Sequence, residues 1–292
     1  MRDILTAGLR RLTQDEPSFT AGSRDATVIV IAAQKGGVGK TTSTVNLATA
    51  LVAHHGQRVL VIDMDGQGHV GACLGVTNQP SRPLSQVLLS PMKDDILHAV
   101  VETPIEGLHI TAPDLALSDA EPILSGRVGR EHILSESMHT ARTHYDTILI
   151  DSPPNLGNLT LNALMAADHV LVPCDMSLLA VSGVAQLLQA VETLQDRLAH
   201  AISVLGILRT RVDARNTTLN EAVDAALLDA YPHFLLETLI PINSALAKAQ
   251  GAGSPIQTFD PRCRGALAYK ALSEEVMRRL EARGATRRRR VR

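Results

Sequence analysis

Aromatic residues are scarce in this chain of 292 residues: they make up 2% of it, and tryptophan is absent. Proteins that hold single-stranded nucleic acid often stack its bases on aromatic side chains, so the composition argues against that mode of binding. Any contact with nucleic acid would instead run from arginine and lysine to phosphate groups. The formal net charge of −2 also excludes a chain that is basic throughout.

Cysteines and long apolar runs are also few. Cys73, Cys174 and Cys263 are too widely spaced for a disulfide framework, and buried free thiols in a reducing cytosol are expected, with a metal or redox role left open. No run of eighteen apolar residues occurs, so no membrane span is predicted. The first residues, Met1-Arg-Asp-Ile-Leu5, lack the long apolar region of a signal peptide.

From Val28 onward, apolar runs rich in β-branched residues alternate with helical patterns. Near-continuous apolar strands between helices predict an α/β fold with a single doubly wound, mostly parallel sheet and helices on both faces. Residues 77–106 are expected to be loop and short helix. Strands are predicted over residues 28–33, 58–63, 108–112, 147–151, 169–173, 204–208 and 235–240, and helical structure over 128–142, 182–200, 219–231 and 265–283.

Two tails flank the predicted domain, which covers residues 27–283. Residues 1–26 combine a possible short helix with a linker, and they could be a frayed tail or one that contacts a partner or DNA. Residues 284–292 are rich in arginine, and the last fifteen residues together hold eight arginines against the single acid Glu281. A solvated run is the alternative interpretation of this basic tail.

A glycine-rich segment follows the first strand and precedes a helical pattern. Glycines let backbone N–H groups point inward, and a helix start adds free donors and partial positive charge, so this order predicts a phosphate-binding loop. Lys40 is placed to reach the β- and γ-phosphates, and the Thr41 hydroxyl is placed to ligate Mg²⁺. A turn that binds nothing is the alternative. The candidate nucleotide-binding residues here are Lys35, Gly36, Gly37, Val38, Gly39, Lys40, Thr41 and Thr42.

Acidic residues end two of the predicted strands. Asp63 and Asp65 follow one strand, and Asp151-Ser-Pro-Pro154 follows another. Ligands of parallel sheets bind at the carboxyl ends of strands, and an acid that ends an apolar strand holds the Mg²⁺ shell in this class of site. Thr41, Asp63 and Asp151 are therefore the candidate metal residues, although Asp63 and Asp65 could simply cap the following turn.

The glycine-rich segment resembles the deviant Walker A motif KGGxGK[ST] of the ParA/MinD family of P-loop ATPases. Gln34 stands where the usual loop has its first glycine, and Lys35 is the additional early lysine. Further resemblances to the family follow in order as far as about residue 280. Residues 63–68 resemble the family motif D-x-D-P-Q-G, with Gly66 in place of the proline. Residues 147–154 resemble hhhhD-x-P-P, residues 208–215 resemble LxTxxDxR, residues 240–243 resemble I-P-R-N, and residues 259–265 resemble DPRSRG.

The resemblance is closest to ParA-type partition ATPases and implies an ATP hydrolase that uses ATP and Mg²⁺. In such a protein Lys35 reaches across an ATP-bound homodimer, Asp65 orients the attacking water, and Pro241 and Asn243 lie near the adenine. Lys35, Lys40 and Asp65 are thus the implied catalytic residues. Gly66, in place of proline, suggests a looser loop after Asp65.

The resemblance also implies partners and a location. A ParB-like or other activating protein stimulates slow hydrolysis, and the closed dimer binds DNA without sequence preference in the cytoplasm, on the nucleoid. Such cycling positions a plasmid, a chromosome origin or a protein assembly. The family's usual arginines after I-P are Ile242 and Ala245 here, so Lys248 is a candidate substitute, and Arg262 and Arg264 could instead tie the chain internally. The candidate DNA-binding residues are Arg209, Arg211, Arg215, Lys248, Arg262 and Arg264.

Three other classes stay open. A MinD-type membrane switch needs a C-terminal amphipathic helix with large apolar residues, and only Val291 follows Leu280, so a membrane partner is not expected. An iron–sulfur or metal carrier needs paired cysteines, and no C-x-x-C occurs. A small-molecule kinase or ligase could use the same loop, although no acceptor pocket is indicated.

Overall fold

A computed structural model describes residues 21–290, and for residues 284–290 it describes only the backbone. The proposed helix and most of the linker in residues 1–26 therefore lie outside the described residues, as do the side chains of the arginine-rich tail. Within the described part of the chain, no helix is long and apolar enough to cross a membrane.

Eight strands form one sheet in the order β3-β4-β2-β5-β1-β6-β7-β8. All neighbouring strands are parallel except β3 and β4, which pair in the antiparallel direction at one edge. The predicted fold class, a doubly wound and mostly parallel sheet, is confirmed. The strands are β1 (Thr27–Ile31), β2 (Val59–Asp63), β3 (Val100–Glu102), β4 (Leu108–Thr111), β5 (Thr147–Asp151), β6 (His169–Asp175), β7 (Ser203–Val212) and β8 (Leu235–Pro241).

Helices cover both faces of this sheet, as apolar strands require. The helices are α1 (Lys40–His55), α2 (His69–Cys73), α3 (Leu84–Leu89), α4 (Leu117–Ser125), α5 (Ile133–Ser137), α6 (Asn158–Ala166), α7 (Leu178–Leu198), α8 (Thr217–Ala230), α9 (Ser244–Gly251), α10 (Ile256–Phe259) and α11 (Arg264–Arg290). Short 3₁₀ turns occur at Ile96–Ala99, Arg130–His132 and Ala141–Thr143.

The two-residue period of the strands divides the core into two layers. In β1, Val28 and Val30 face one layer, whereas Ile29 and Ile31 face the other. The first layer is completed by helices α3–α8 and the second by α1, α2 and α9–α11. The phosphate loop joins the central strand β1 to α1, so the second layer surrounds the candidate site.

Several elements differ from the sequence prediction. Residues 128–142 are helical only in pieces: the short helix α5 directly follows one 3₁₀ turn, and residues 138–140 separate it from the next. Helices α4 and α6 were not predicted, and α4 contains Pro122 in its interior, where proline is normally disfavoured. Strand β7 extends to Val212, beyond the predicted end at 208, and this extension carries Thr210 and Arg211 to the phosphate loop.

Helix α11 closes the exposed edge of β8 through a buried carboxylate. Glu275 is 2% exposed, and its two oxygens accept hydrogen bonds from the backbone N–H groups of Glu237 and Thr238, each at 2.9 Å. Burial opposes ionisation of Glu275, but these two backbone donors and Arg279 outweigh it and hold its pKa below the ordinary value. An edge strand presents such donors in need of an acceptor.

We expect Glu275→Ala to lower the free energy of unfolding by about 2 kcal/mol, because it leaves two partly buried N–H donors without an acceptor. The exposed neighbour Glu274 provides the matched control, Glu274→Ala, with an expected change below about 0.5 kcal/mol. Urea unfolding followed by circular dichroism measures both. Because the folded-state pKa is depressed, the contribution of Glu275 is present above its unfolded pKa and is lost as the pH falls through the folded value. Equal stability of the two variants would contradict this role.

Candidate active site

Two glycines in left-handed conformations shape the loop between β1 and α1. Gly37 has a φ of 75° and Gly39 a φ of 89°, a region that residues with a Cβ rarely occupy. Gly39 is also the N-cap of α1, and no side chain in the described part of the chain caps this helix end. The first N–H groups of the helix are therefore available to a ligand, which is the arrangement that binds phosphate.

Two carboxylates meet this loop at the carboxyl edge of the sheet. Asp63 ends β2 and Asp151 ends β5, and the two residues are register partners on neighbouring strands. Thr41 Oγ1 donates to one oxygen of Asp151 at 2.7 Å, and Thr44 Oγ1 donates to the other at 2.9 Å. The structure thus brings together Thr41, Asp63 and Asp151, which the sequence proposed as metal residues.

The charges at this edge are held in a buried environment. Burial raises the pKa of Asp151 to about 6, although hydrogen bonds from Thr41 and Thr44 and the charge of Lys40 act in the opposite direction. Burial and the adjacent Asp151 carboxylate raise the pKa of Asp63 well above its ordinary value. Lys40 is 7% exposed, and burial lowers its pKa against the attraction of Asp151 and Asp65.

This donor set fits magnesium. A cation would stabilise the ionised form of carboxylates whose ionisation burial opposes, and hydroxyl and carboxylate oxygens are the ligands that Mg²⁺ prefers. Among the described residues, no group of three or more histidine, cysteine, aspartate or glutamate side chains could hold a metal ion. Magnesium at Thr41 and Asp151 would therefore take its remaining ligands from phosphate and water.

Asp63 and Asp65 accept backbone hydrogen bonds within the turn that follows β2. Asp63 accepts hydrogen bonds from the backbone N–H groups of Asp65 at 3.1 Å and Val70 at 3.2 Å, and Asp65 accepts one from Gln67 at 3.1 Å. Both acids therefore cap the turn, which is the alternative role that the sequence left open for them. Asp65 nevertheless lines the same cavity as Lys40, so the turn also fixes the position of this carboxylate beside the loop.

Gly66 is a close-approach glycine in this turn. A Cβ at this position would lie 2.3 Å from Ser118 Oγ and 3.1 Å from the Ser118 backbone nitrogen, both in α4. Gly66 is buried, and the expectation of a looser loop after Asp65 stays a prediction. Ser118 occupies the space that a larger residue at position 66 would need.

Lys35 forms an ion pair within its own chain. Its Nζ lies 3.0 and 3.2 Å from the two oxygens of Asp175, and it donates to Ser177 Oγ at 3.0 Å. Asp175 ends β6, and Ser177 is the N-cap of α7. Asp175 was not predicted as a site residue, although it is an acid at the end of an apolar strand, the same signal that indicated Asp63 and Asp151.

A cavity of about 610 Å³ joins the loop to the region after β8. This volume lies within the range of small-molecule sites. Asn243 also caps α9, because its Oδ1 accepts from the Ala245 backbone N–H at 2.8 Å. Among the predicted nucleotide residues, the cavity wall includes Gly36, Gly37, Gly39, Lys40, Thr41, Thr42, Pro241 and Asn243, whereas Lys35 and Val38 lie outside it.

Polar side chains of α1 contact α10 and α11. Thr49 Oγ1 donates to Gln257 Oε1 at 2.8 Å, and the Ile256 backbone N–H donates to Asn46 Oδ1 at 2.8 Å. The hydroxyls of Ser43 and Tyr269 are 3.3 Å apart. These buried polar contacts were not predicted, because hydroxyl and amide side chains in a helix usually face solvent.

The six predicted DNA residues have different surroundings. Arg209 is turned inward: it pairs with Asp224 and donates to the backbone oxygens of Leu236 and Glu237, which leaves its side chain 13% exposed. Arg215 is 87% exposed and pairs with Asp213. Arg211 donates to the Gly37 backbone oxygen at 3.1 Å. Lys248, Arg262 and Arg264 are exposed. The proposed DNA-binding role of each residue stays a prediction.

The AAA_31 family model, an AAA domain, matches residues 26–204. The sporulation initiation inhibitor protein Soj of Bacillus subtilis is 37% identical over 251 residues, which cover 85% of this chain and 97% of Soj. The chromosome partitioning protein ParA of Caulobacter vibrioides is 36% identical over 255 residues, covering 86% of this chain and 94% of that protein.

Solved structures support the same grouping. Cobyrinic acid a,c-diamide synthase from Mycobacterium smegmatis, solved with a bound ATP analogue and magnesium, superposes with a TM-score of 0.74 at 31% identity. The match covers 88% of this chain and 96% of the synthase chain. With a family model over more than half of its length and relatives that align along most of it, this chain belongs to the ParA/MinD family of P-loop ATPases.

Proposed function

We propose that this chain is a ParA-type ATPase that uses ATP and Mg²⁺, closes into a dimer when ATP is bound, and binds DNA without sequence preference. Hydrolysis, stimulated by an activating partner protein, would then open the dimer and release the DNA, so that the cycle positions DNA or another cargo. The observation that carries this proposal is the convergence of Lys40, Thr41, Asp65 and Asp151 around an uncapped helix start.

The residues of the site divide the work of hydrolysis. The loop N–H groups and Lys40 would bind the phosphates, and Thr41 and Asp151 would hold Mg²⁺, which when bound neutralises phosphate charge. Asp65 is fixed by the turn bonds after β2 and would orient the attacking water. Its position on the cavity wall supports this role, because a group that orients a nucleophile must be held in place beforehand.

The ion pair of Lys35 sets a condition for dimer closure. Its side chain is 36% exposed, and its ammonium is held by Asp175 and Ser177. To reach a nucleotide on a second copy, Lys35 must exchange the Asp175 carboxylate for a phosphate of the partner's nucleotide. Both acceptors are anionic, so the exchange costs less than removing the lysine from any partner. ATP favours the closed dimer over the monomer if the closed dimer makes contacts with ATP that it does not make with ADP.

We expect Lys35→Ala to bind ATP but to remain monomeric, because it removes the group that reaches across the interface. Asp65→Ala is the matched variant: it keeps Lys35, so it should form a dimer with ATP and hydrolyse ATP far more slowly than the wild-type protein. Size-exclusion chromatography with light scattering in ATP and in ADP tests both variants. An ATP-dependent dimer of Lys35→Ala would show that this lysine has no role across the interface.

The proposed DNA surface lies on the face of the sheet that carries α9, α10 and α11. A Cβ on Gly265, at the start of α11, would lie 3.0 Å from Leu246 in α9, so these two helices are in contact. Lys248 in α9 and Arg262 and Arg264 near the start of α11 are therefore exposed cations on neighbouring elements. Exposed cations of this kind suit phosphate contacts, which carry affinity without sequence information.

We expect Lys248→Glu to weaken the binding of the ATP-loaded protein to duplex DNA about tenfold and to flatten its dependence on salt, because each phosphate neutralised contributes a log–log slope of about −0.9. Basal ATP hydrolysis should not change. The matched control is Lys93→Glu, which makes the same charge change at a residue that is 78% exposed and pairs with Glu136 on the other layer. Fluorescence anisotropy over a salt series, in ATP and in ADP, measures the effect.

Other outcomes would assign other functions. Equal DNA affinity in ATP and in ADP, or affinity that does not change with salt, would contradict the switch. ATP-dependent binding to anionic liposomes instead of DNA would favour a membrane-associated positioning ATPase. Hydrolysis that depends on an added small-molecule acid would favour an amide-forming ligase, in keeping with the name of the a,c-diamide synthase from Mycobacterium smegmatis.

A further inference from the structure

The end of β7 holds the phosphate loop by its backbone oxygens. Thr210 Oγ1 donates to the Val38 carbonyl oxygen at 2.7 Å, and the Arg211 guanidinium donates through Nη1 to the Gly37 carbonyl oxygen at 3.1 Å. Residues 210 and 211 are more than 170 positions away from the loop in sequence. Two successive side chains therefore fix two successive peptide groups of the loop.

The backbone at Arg211 is unusual and directs its side chain. Arg211 has a φ of 54°, and Ala199 is the only other described residue apart from glycine with a positive φ. The register between β7 and β8 also shifts between Arg209 and Val212. A bulge of this kind turns a side chain away from the regular alternation of the strand, and such bulges occur frequently beside active sites. Here the bulge directs Arg211 to the loop.

Arg211 also lies beside the segment after β8. The Ile242 backbone N–H donates to the Val212 carbonyl oxygen at 2.9 Å, and Val212 pairs with Pro241. Arg211 lines the same cavity as the loop glycines and Asn243. It is therefore the cation of β7 that lies between the phosphate loop and the opposite wall of the cavity.

The guanidinium of Arg211 has N–H donors beyond the one that binds the Gly37 oxygen. A guanidinium carries five N–H donors, and among the described residues Arg211 contacts the Gly37 oxygen and makes no ion pair. Two other arginines of the same segment differ, because Arg209 pairs with Asp224 and Arg215 pairs with Asp213. Among the arginines of this segment, Arg211 is therefore the one that makes no ion pair with a described residue, and its exposed side chain lines the cavity that contains the phosphate loop.

We propose that Arg211 is a nucleotide-site residue, which positions the phosphate loop through Gly37 and binds the nucleotide through its remaining donors. This inference rests on the ATP-binding part of the proposed function, but not on dimer closure or DNA binding. The Arg211 guanidinium would recognise a nucleoside diphosphate. Its charge-assisted hydrogen bonds to phosphate or ribose oxygens would add to the hydrogen bonds that the loop donates.

The test is the affinity for ADP with Mg²⁺, measured by isothermal titration calorimetry with wild-type protein, Arg211→Asn and Arg215→Asn. Asparagine tolerates a positive φ better than most residues, so Arg211→Asn removes the guanidinium without a new backbone conflict. We expect about tenfold weaker binding for Arg211→Asn. Arg215→Asn, which removes an arginine from the same segment, should bind as the wild-type protein does.

A second pair of readouts separates binding from folding. The melting temperature of Arg211→Asn without nucleotide should stay within about 2 °C of the wild-type value, whereas the stabilisation by ADP should shrink. Arg211→Lys, which keeps the charge and loses the fork of donors, should bind with intermediate affinity. In steady-state hydrolysis Arg211→Asn should raise KM for ATP.

Wild-type ADP affinity in Arg211→Asn would overturn the proposal and return this arginine to the DNA surface. A loss of affinity that is matched by an equal loss of stability in Arg211→Asn, Arg211→Lys and Arg211→Gly would make the residue purely structural and would also overturn it. Failure of the wild-type protein to bind ADP is a different result, because it would contradict the proposed ATPase function itself.

Discussion

The carboxylate of Asp151 receives hydrogen bonds from Thr41 and Thr44, and these two bonds fix the start of α1 to the end of β5. The two hydroxyls lie one helical turn apart, so they fix both the position and the rotation of the helix. Because α1 begins at the last glycine of the loop, the same bonds fix the free N–H groups of the helix start over the edge of the sheet. The shape of the phosphate loop depends on this contact.

The remainder of the site is built outward from this point. On one side, the register of β2 and β5 places Asp63 opposite Asp151, and the turn after β2 then places Asp65 on the cavity wall. On the other side, Asn46 and Thr49 of α1 bind the start of α10, and Tyr269 of α11 reaches Ser43. Helix α1 therefore contacts the end of β5 as well as α10 and α11, and this arrangement couples the geometry of the loop to that of the C-terminal helices.

The sequence predicted the parts of this site that depend on local patterns. The β-branched runs identified the central strands, and the loop was recognisable because strand, glycines, lysine and threonine are contiguous. Asp63 and Asp151 could be placed at one edge because parallel strands align their carboxyl ends. Each of these inferences uses residues that are close in sequence or a general property of parallel sheets.

The contacts that were missed join residues far apart in the chain. Gly66 leaves the space that Ser118 of α4 occupies. Helix α4 was not predicted, because it contains Pro122 in its interior. The bulge at Arg211 depends on a register shift against β8, for which the sequence carries no local signal. Arg209 has the appearance of a surface cation, yet it is held by Asp224 and by two backbone oxygens of β8. In each case tertiary packing decided the role of the residue.

Thr41 and Asp151 would together hold the magnesium ion that accompanies the nucleotide. The most direct test is calorimetric titration of ADP, with Mg²⁺ and with a chelator, into wild-type protein, Thr41→Val and Thr42→Val. Valine keeps the shape of threonine and removes the hydroxyl. The account predicts that Mg²⁺ strengthens binding to the wild-type protein and to Thr42→Val, even if Thr42→Val binds more weakly in both conditions, and that it has no effect on Thr41→Val. Wild-type dependence on Mg²⁺ in Thr41→Val would contradict the assignment of the site.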